Sequence, residues 1–457
     1  MGSLKGNRPG MPSLDNLSTR QQRIAELAKQ APQMGFTSLA QHIDEGWLYQ
    51  AYLYTRKDGA VGVDGQTAGD YEAELQDNLK SLLDRAKSGT YQAPPVRRAY
   101  IPKGTGPETR PLGIPTFEDK VLQRAVVMVL EPLYEQDFLN CSYGFRPGRS
   151  AHQALQTLWD ETMSSDGGWV LEVDIRKYFD TLDHAQLRQL LQLRVRDGVL
   201  LRLIGKWLNA GVLEEGCLTT PEAGTPQGGV ISPMLANIYL HYVLDVWFEQ
   251  EVKPRLKGHA FLIRYADDFI MGFVHEEDAR RVWEVLPKRF AKYGLMLHPD
   301  KTRLVPFQRP RSKAGCDDTT PTSGPGIFDL LGFRHHWGRS RRGAWVVRRK
   351  TAPDRFRRAV KKIAQWCRLH RHLPIEDQHR ALKQKLRGHY AYYGITGNVQ
   401  ALQRLWHLVP RLWRKWLSRR RRGKSLPWPH FTLLLQLYPL PPPVVVHSVY
   451  RLAAPPR

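Results

Sequence analysis

Two adjacent carboxylates, Asp267 and Asp268, stand between apolar runs in the segment Phe261-Leu-Ile-Arg-Tyr-Ala-Asp-Asp-Phe-Ile-Met-Gly-Phe273. The pattern predicts two short buried strands joined by a tight turn that presents the acids. A double negative charge in that setting calls for a cation, because unpaired carboxylates are costly to bury. A divalent metal is the obvious candidate. Taken alone, the pair reads as the polar tip of a hairpin; it is the other stretches of the chain that favour the metal. One of them is Trp169-Val-Leu-Glu-Val-Asp174-Ile-Arg-Lys-Tyr-Phe179-Asp180. Leu171, Val173 and Ile175 share one face of a predicted strand there, so Glu172 and Asp174 occupy the other, and Asp174 points away from the core toward a cleft.

Three further stretches carry groups suited to phosphates and nucleotides. Between Arg97 and Pro115 the chain turns extended and basic, and a β-hairpin with its loop at residues 104–107 brings Lys103 and Arg110 together. As a clamp they suit a triphosphate, Arg with a bidentate fork and Lys with a point charge; as plain hairpin residues they are two solvated cations. Ser142-Tyr-Gly-Phe-Arg-Pro-Gly-Arg-Ser150 is a glycine-rich basic turn able to approach a nucleic-acid backbone, or a turn and nothing more. Gly224-Thr-Pro-Gln-Gly-Gly-Val-Ile-Ser-Pro-Met-Leu-Ala-Asn237 sets Gln227 and Gly228 in a loop that lets a planar ligand approach closely, ahead of a helix with Ser232 as N-cap and Pro233 at its first position.

The elements that must position these groups follow in order. Residues 13–90 are predicted helical around a mobile glycine loop at 56–65, a mostly apolar helix covers 117–133, and Asp183 caps a helix through Leu187 and Leu191. An amphipathic stretch at 279–293 leads to an extended segment ending at Lys301 and Thr302, a loop covers 308–326, and a strand resumes at 328–333. Three helices are predicted around 354–370, 376–393 and 398–417. From Arg334 to Lys424 only Asp354, Glu376 and Asp377 are acidic, while Arg and Lys recur with Trp and Tyr, a composition suited to nucleic acid. The net charge of +24 over 457 residues points the same way. No stretch has the apolar length of a membrane span and no hydrophobic signal region opens the chain, so no membrane partner and a cytoplasmic location are expected. Cys141, Cys217, Cys316 and Cys367 show no paired spacing, which argues against disulfides and zinc.

Taken in order, these motifs resemble reverse transcriptases over nearly the whole chain, most closely the group II intron-encoded type: residues 103–115, 142–150, 174–183, 224–237, the Tyr265-Ala-Asp-Asp268 turn, 295–302 and 330–333. The resemblance implies an α+β right-hand polymerase, fingers and palm with an antiparallel palm sheet, followed by an all-helical thumb or maturase domain. It divides the chain into an N-terminal helical extension with a fingers insertion (1–90), fingers and palm (91–335), thumb and maturase (336–425) and a basic, proline-rich tail that binds DNA (426–457). It implies two Mg2+ ions, with Mn2+ as substitute, bridged by Asp174 and Asp267 with Asp268 nearby and the Ile175 carbonyl as a further ligand. Lys103 and Arg110 would hold the triphosphate, Gln227 and Gly228 would line the nucleotide pocket, and Phe179 would exclude the 2′-hydroxyl. Lys301 would donate a proton, contact phosphate or simply be solvated. The partners implied are dNTPs, an RNA template with a DNA or RNA primer, group II intron RNA and target DNA, with association with the bacterial nucleoid during insertion.

The function expected is RNA-directed DNA synthesis with maturase-assisted splicing and retrotransposition. No paired cysteine and histidine pattern of the family's carboxy-terminal endonuclease follows the maturase segment, so self-sufficient target cleavage is not expected. A free-standing relative serving DNA repair or phage defence would retain the same acidic residues. A splicing factor with a vestigial polymerase would not need them.

Overall fold

The computed structural model describes residues 14–102, 109–214, 217–219, 224, 228–310, 326–340, 342–420 and 425–448. It is an α+β protein, as expected. One four-stranded sheet has the spatial order Thr109–Ile114, Val96–Pro102, Val212–Glu214, Cys217–Thr219; a second has the order Ala260–Tyr265, Asp268–Phe273, Trp169–Val173, Arg303–Pro306. The chain divides into two compact units: Met1–Ser150, Val173–Phe269 and Arg280–Arg303 in one, Ala151–Glu172, Ile270–Ala279 and Leu304–Arg457 in the other.

In the first unit the helix Phe117–Tyr134 starts where Thr116 accepts from the Asp119 amide, and Val121, Leu122, Ala125, Val126, Val129, Leu130 and Leu133 are all buried along it. With so much of its circumference buried, it is a core helix that leaves only Glu118, Lys120, Arg124 and the Glu131-Pro132 step partly exposed. The predicted basic hairpin forms, Val96–Pro102 pairing antiparallel with Thr109–Ile114 from Arg97↔Ile114 to Pro102↔Thr109. Asp183 caps His184–Gln192 as expected, accepting from the Gln186 amide at 2.8 Å.

Two expectations are corrected here. The stretch 56–65 is irregular but pinned: Lys120 donates to Ala60 O at 2.6 Å, and Arg97 grips Val61 O with two bonds of 2.9 and 3.0 Å. Ser232 does not cap its helix, for Ser232–Leu240 begins with it and Ile231 is the N-cap. The orphan Ile231 amide instead donates to Gln123 Oε1 at 3.2 Å, a partner supplied by the helix Phe117–Tyr134.

In the second unit the helices Pro353–Leu369, Ile375–Tyr393 and Val399–Ser418 fall within two residues of their predicted bounds. The segment 336–425 is not all-helical, however. Its first part is a hairpin of Phe333–Arg339 with Trp345–Thr351, and Phe333, His335 and Trp337 face inward opposite Val347, Arg349 and Thr351. That alternation is the period of a strand. Nor is 426–457 only a tail. Trp428–Leu437 is a helix whose buried Phe431 meets Trp413 edge-on at 5.8 Å, in one core with Leu382, Leu386, Leu405 and Leu440. Among the described residues no helix is long and apolar enough to cross a membrane. Cys141 and Cys367 are buried and free, and burial pushes the Cys367 thiol up to about 12.

Candidate active site

The strand Trp169–Val173 ends one residue before Asp174, and the chain beyond it is zipped to the segment after Gly294. Ile175 forms an antiparallel bridge with Leu297, the His298 amide donates to Asp174 O at 2.8 Å, and the Arg176 amide donates to Met296 O at 2.8 Å. Because side chains alternate, Ile175 goes into the core, 5% exposed, and Asp174 faces the other way, half-buried. Asp267 sits in the turn between Ala260–Tyr265 and Asp268–Phe273, where Ala266 takes a left-handed φ of 59°. The two carboxylates share a cavity of about 360 Å3, which Arg110, Ile175, Phe179 and Lys301 also line.

Not every expected residue reaches that cavity. Asp268 opens the outgoing strand, is exposed and is not part of the lining. Gly228 lies against the basic hairpin instead. With φ at 116°, a Cβ there would fall 2.6 Å from Gly113 O. Lys103 and Gln227 lie outside the described residues. Conversely, Arg176, Lys177 and His298 line the cavity without having been singled out. The signal for the first two was their position directly after Asp174; His298 is brought in by the bridge to Leu297.

Lys301 is an ion-pair partner that stays about half exposed: its Nζ lies 2.6 Å from Asp174 Oδ2. Burial pushes the Asp267 carboxyl above the ordinary carboxylate range. Asp174 pushes the same way, while a backbone hydrogen bond, Arg110 and Arg264 pull against it. A buried acid held near a second acid stores an electrostatic cost that a cation relieves. Oxygen donors of this kind are what a hard divalent ion takes, so Asp174 and Asp267 fit such an ion. Among the described residues no cluster of three or more His, Cys, Asp or Glu forms a ready-made metal site.

Phe179 is backed by Gly224. Gly224 has φ of 94°, and a Cβ on it would fall 2.7 Å from Phe179 O and 2.8 Å from Asp180 O, so this position can approach the backbone there only as glycine. The Gly224 amide donates to Leu182 O at 2.8 Å, and His184 Nε2 lies 2.5 Å from Gly224 O. His184 is therefore a second anchor that the sequence pattern did not flag.

Residues 101–334 match the reverse transcriptase (RNA-dependent DNA polymerase) family, and residues 355–431 match the group II intron maturase-specific domain. Among curated proteins the chain is 36% identical over 287 residues to protein YkfC of Escherichia coli, covering 56% of this chain and 75% of YkfC. It is 39% identical over 262 residues to the group II intron-encoded protein LtrA of Lactococcus lactis, covering 54% of this chain and 41% of LtrA. It is 30% identical over 177 residues to nuclear intron maturase 2 of Arabidopsis thaliana, covering 30% of this chain and 24% of that protein.

Proposed function

The chain belongs to the reverse transcriptase family, and on that premise we propose that it copies RNA into DNA at the Asp174–Asp267 cavity and binds a group II intron RNA to help it splice. The observation that carries the polymerase reading is the pair of carboxylates lining one cavity with Arg110. The maturase match at 355–431 supports the splicing role. In this reading 91–335 forms fingers and palm, 1–90 the extension before them and 336–425 the thumb. Because Phe431 and Leu440 belong to the same core as Trp413, the maturase unit takes in the helix Trp428–Leu437 as well.

Asp174 and Asp267, with the Ile175 carbonyl, would hold two Mg2+ ions, and Asp268 stands beside them outside the lining. When bound, such ions activate the primer 3′-hydroxyl and stabilise the leaving pyrophosphate. The chain's own residues do the rest. Arg110, joined by Lys103, fixes the triphosphate by its charge and fork. Phe179, held from behind by Gly224, excludes a 2′-hydroxyl by bulk, while Gln227 lines the nucleotide and Gly228 backs the basic hairpin. Lys301 neutralises Asp174 until a stronger cation competes for it. Template RNA, a primer, intron RNA and target DNA are then the partners, and retrotransposition is the process served.

The test is splicing of RNA transcribed from the DNA flanking the gene, at low Mg2+, with wild-type protein and with Asp267→Asn. Protein-dependent splicing by both, with primer extension by the wild type only, is the expected result. Extension by Asp267→Asn would remove Asp267 from the chemistry. Extension without splicing would favour a free-standing polymerase.

A further inference from the structure

Arg264 is the penultimate residue of the strand Ala260–Tyr265, after four apolar residues, and it has no exposed surface. Its Nε and Nη2 donate to the two oxygens of Asp245 at 2.7 and 2.5 Å, and Asp245 is likewise fully buried. Its Nη1 donates to Asn237 Oδ1 at 2.9 Å and to Ala266 O at 3.0 Å. Asn237, 1% exposed, donates in turn to Gly144 O at 2.7 Å. Gly144 lies flat against the turn, and a Cβ on it would fall 2.4 Å from the Ala266 amide nitrogen.

The bond to Ala266 O bears directly on the acidic turn. Ala266 is held at φ of 59°, a conformation that an L residue without a side-chain acceptor takes only under constraint. Its carbonyl belongs to the peptide that leads into Asp267. A turn peptide free to rotate would swing the following side chain, whereas one bonded to a buried guanidinium keeps one orientation. The guanidinium itself has no freedom, since Asp245 takes two of its nitrogens and Asn237 shares the third. The strand backbone is pinned as well, by bonds from the Arg264 amide to Cys141 O and from the Tyr143 amide to Arg264 O.

We propose that Arg264, clamped by Asp245 and Asn237, is a positioning residue that fixes the Ala266–Asp267 peptide and so aims the Asp267 carboxylate into the cavity it shares with Asp174. This rests on the reading of Asp267 as a metal-holding carboxylate. It assigns a use to three buried polar side chains that lie outside the cavity lining. It also explains why the turn, the Ser142–Ser150 stretch and the glycine-loop helix meet at one point: each contributes a bond to the same guanidinium or a surface against the same peptide.

Two variants test it. Arg264→Met with Asp245→Leu replaces the pair by apolar groups of similar length, an exchange that buried ion pairs often tolerate. Arg264→Lys keeps the charge and loses the fork. Each is measured for thermal midpoint, template–primer affinity, Mn2+ affinity without nucleic acid by electron paramagnetic resonance, and single-nucleotide incorporation. Folded variants that bind template–primer normally, bind Mn2+ about tenfold more weakly and show kcat reduced by about 100-fold with KM for the nucleotide nearly unchanged are expected. Wild-type Mn2+ affinity and kcat in either folded variant would overturn the proposal. Asp267→Asn, run in parallel, separates the two ideas. If it still binds Mn2+ and polymerises, the reading of the site has failed; if it is dead while the Arg264 variants are unimpaired, only the positioning role has failed.

Discussion

His335 shows how a single buried side chain sets a pH limit. It is fully buried, both ring nitrogens lack a hydrogen-bond partner, and its ring lies parallel to Phe328, 4.8 Å away and 4° from coplanar orientation. Burial, with Arg349 and His336 adding to it, pushes the imidazole down to about 3. A histidine of depressed folded-state pKa stabilises fully above its unfolded value, near 6.5, and that contribution is lost as pH falls toward the folded value. Between pH 7 and 4.5 the wild type should therefore lose about 2–3 kcal/mol more than His335→Phe, which keeps the stacking and removes the titration. Urea unfolding of both proteins at the two pH values measures this, and parallel pH curves would refute it. At the same scale Asp174, Asp267 and Arg110 were legible from residue type and spacing, and Phe179 from the family resemblance alone. Lys301 was legible as a cation only; that it pairs with Asp174 depends on residues 127 positions apart arriving at one place.

At the scale of elements, the glycine loop and the terminal helix make separate predictions. Gly224→Ala places a Cβ against the carbonyls of Phe179 and Asp180 at a φ of 94°, so residue 224 must lift from Phe179. The KM for the nucleotide should rise by about tenfold with the thermal midpoint nearly kept; an unchanged KM would detach the loop from the nucleotide pocket. Phe431→Ala empties a fully buried ring position beside Trp413 and should destabilise the second unit by about 3–5 kcal/mol, read from its unfolding midpoint. The three longer helices were readable because their apolar residues recur at helical spacing. The fourth was not, since Trp428-Pro-His-Phe-Thr-Leu-Leu-Leu-Gln-Leu437 is apolar almost throughout and shows no periodic face. The hairpin Phe333–Arg339 with Trp345–Thr351 was hidden by its composition. The consecutive basic runs Arg334-His335-His336 and Arg348-Arg349-Lys350 read as a basic surface, although His335 and Arg349 face inward.

For the whole molecule, charge outweighs every other property in setting how it meets a partner. A net +24 makes binding to RNA strongly dependent on salt. Arg419, stacked over Trp416 at 4.7 Å, and Arg420, which donates to His372 O at 3.2 Å, follow the helix Val399–Ser418 and continue its basic run. Replacing both with Gln should reduce the slope of log affinity against log salt by about 1–2 units if both contact phosphate. A slope that does not move would place them outside the interface. The sequence by itself determined most of the local elements and the face that Asp174 occupies, because strand alternation, helix caps and turn chemistry act over a few residues and are written in their order. Tertiary structure alone decided which distant groups meet: Lys301 with Asp174, His184 with Gly224, Gln123 with Ile231, and Arg264 with Asp245, Asn237 and Ala266. A buried polar group must find a partner, but which partner depends on chain segments brought together by packing, and no local pattern encodes that.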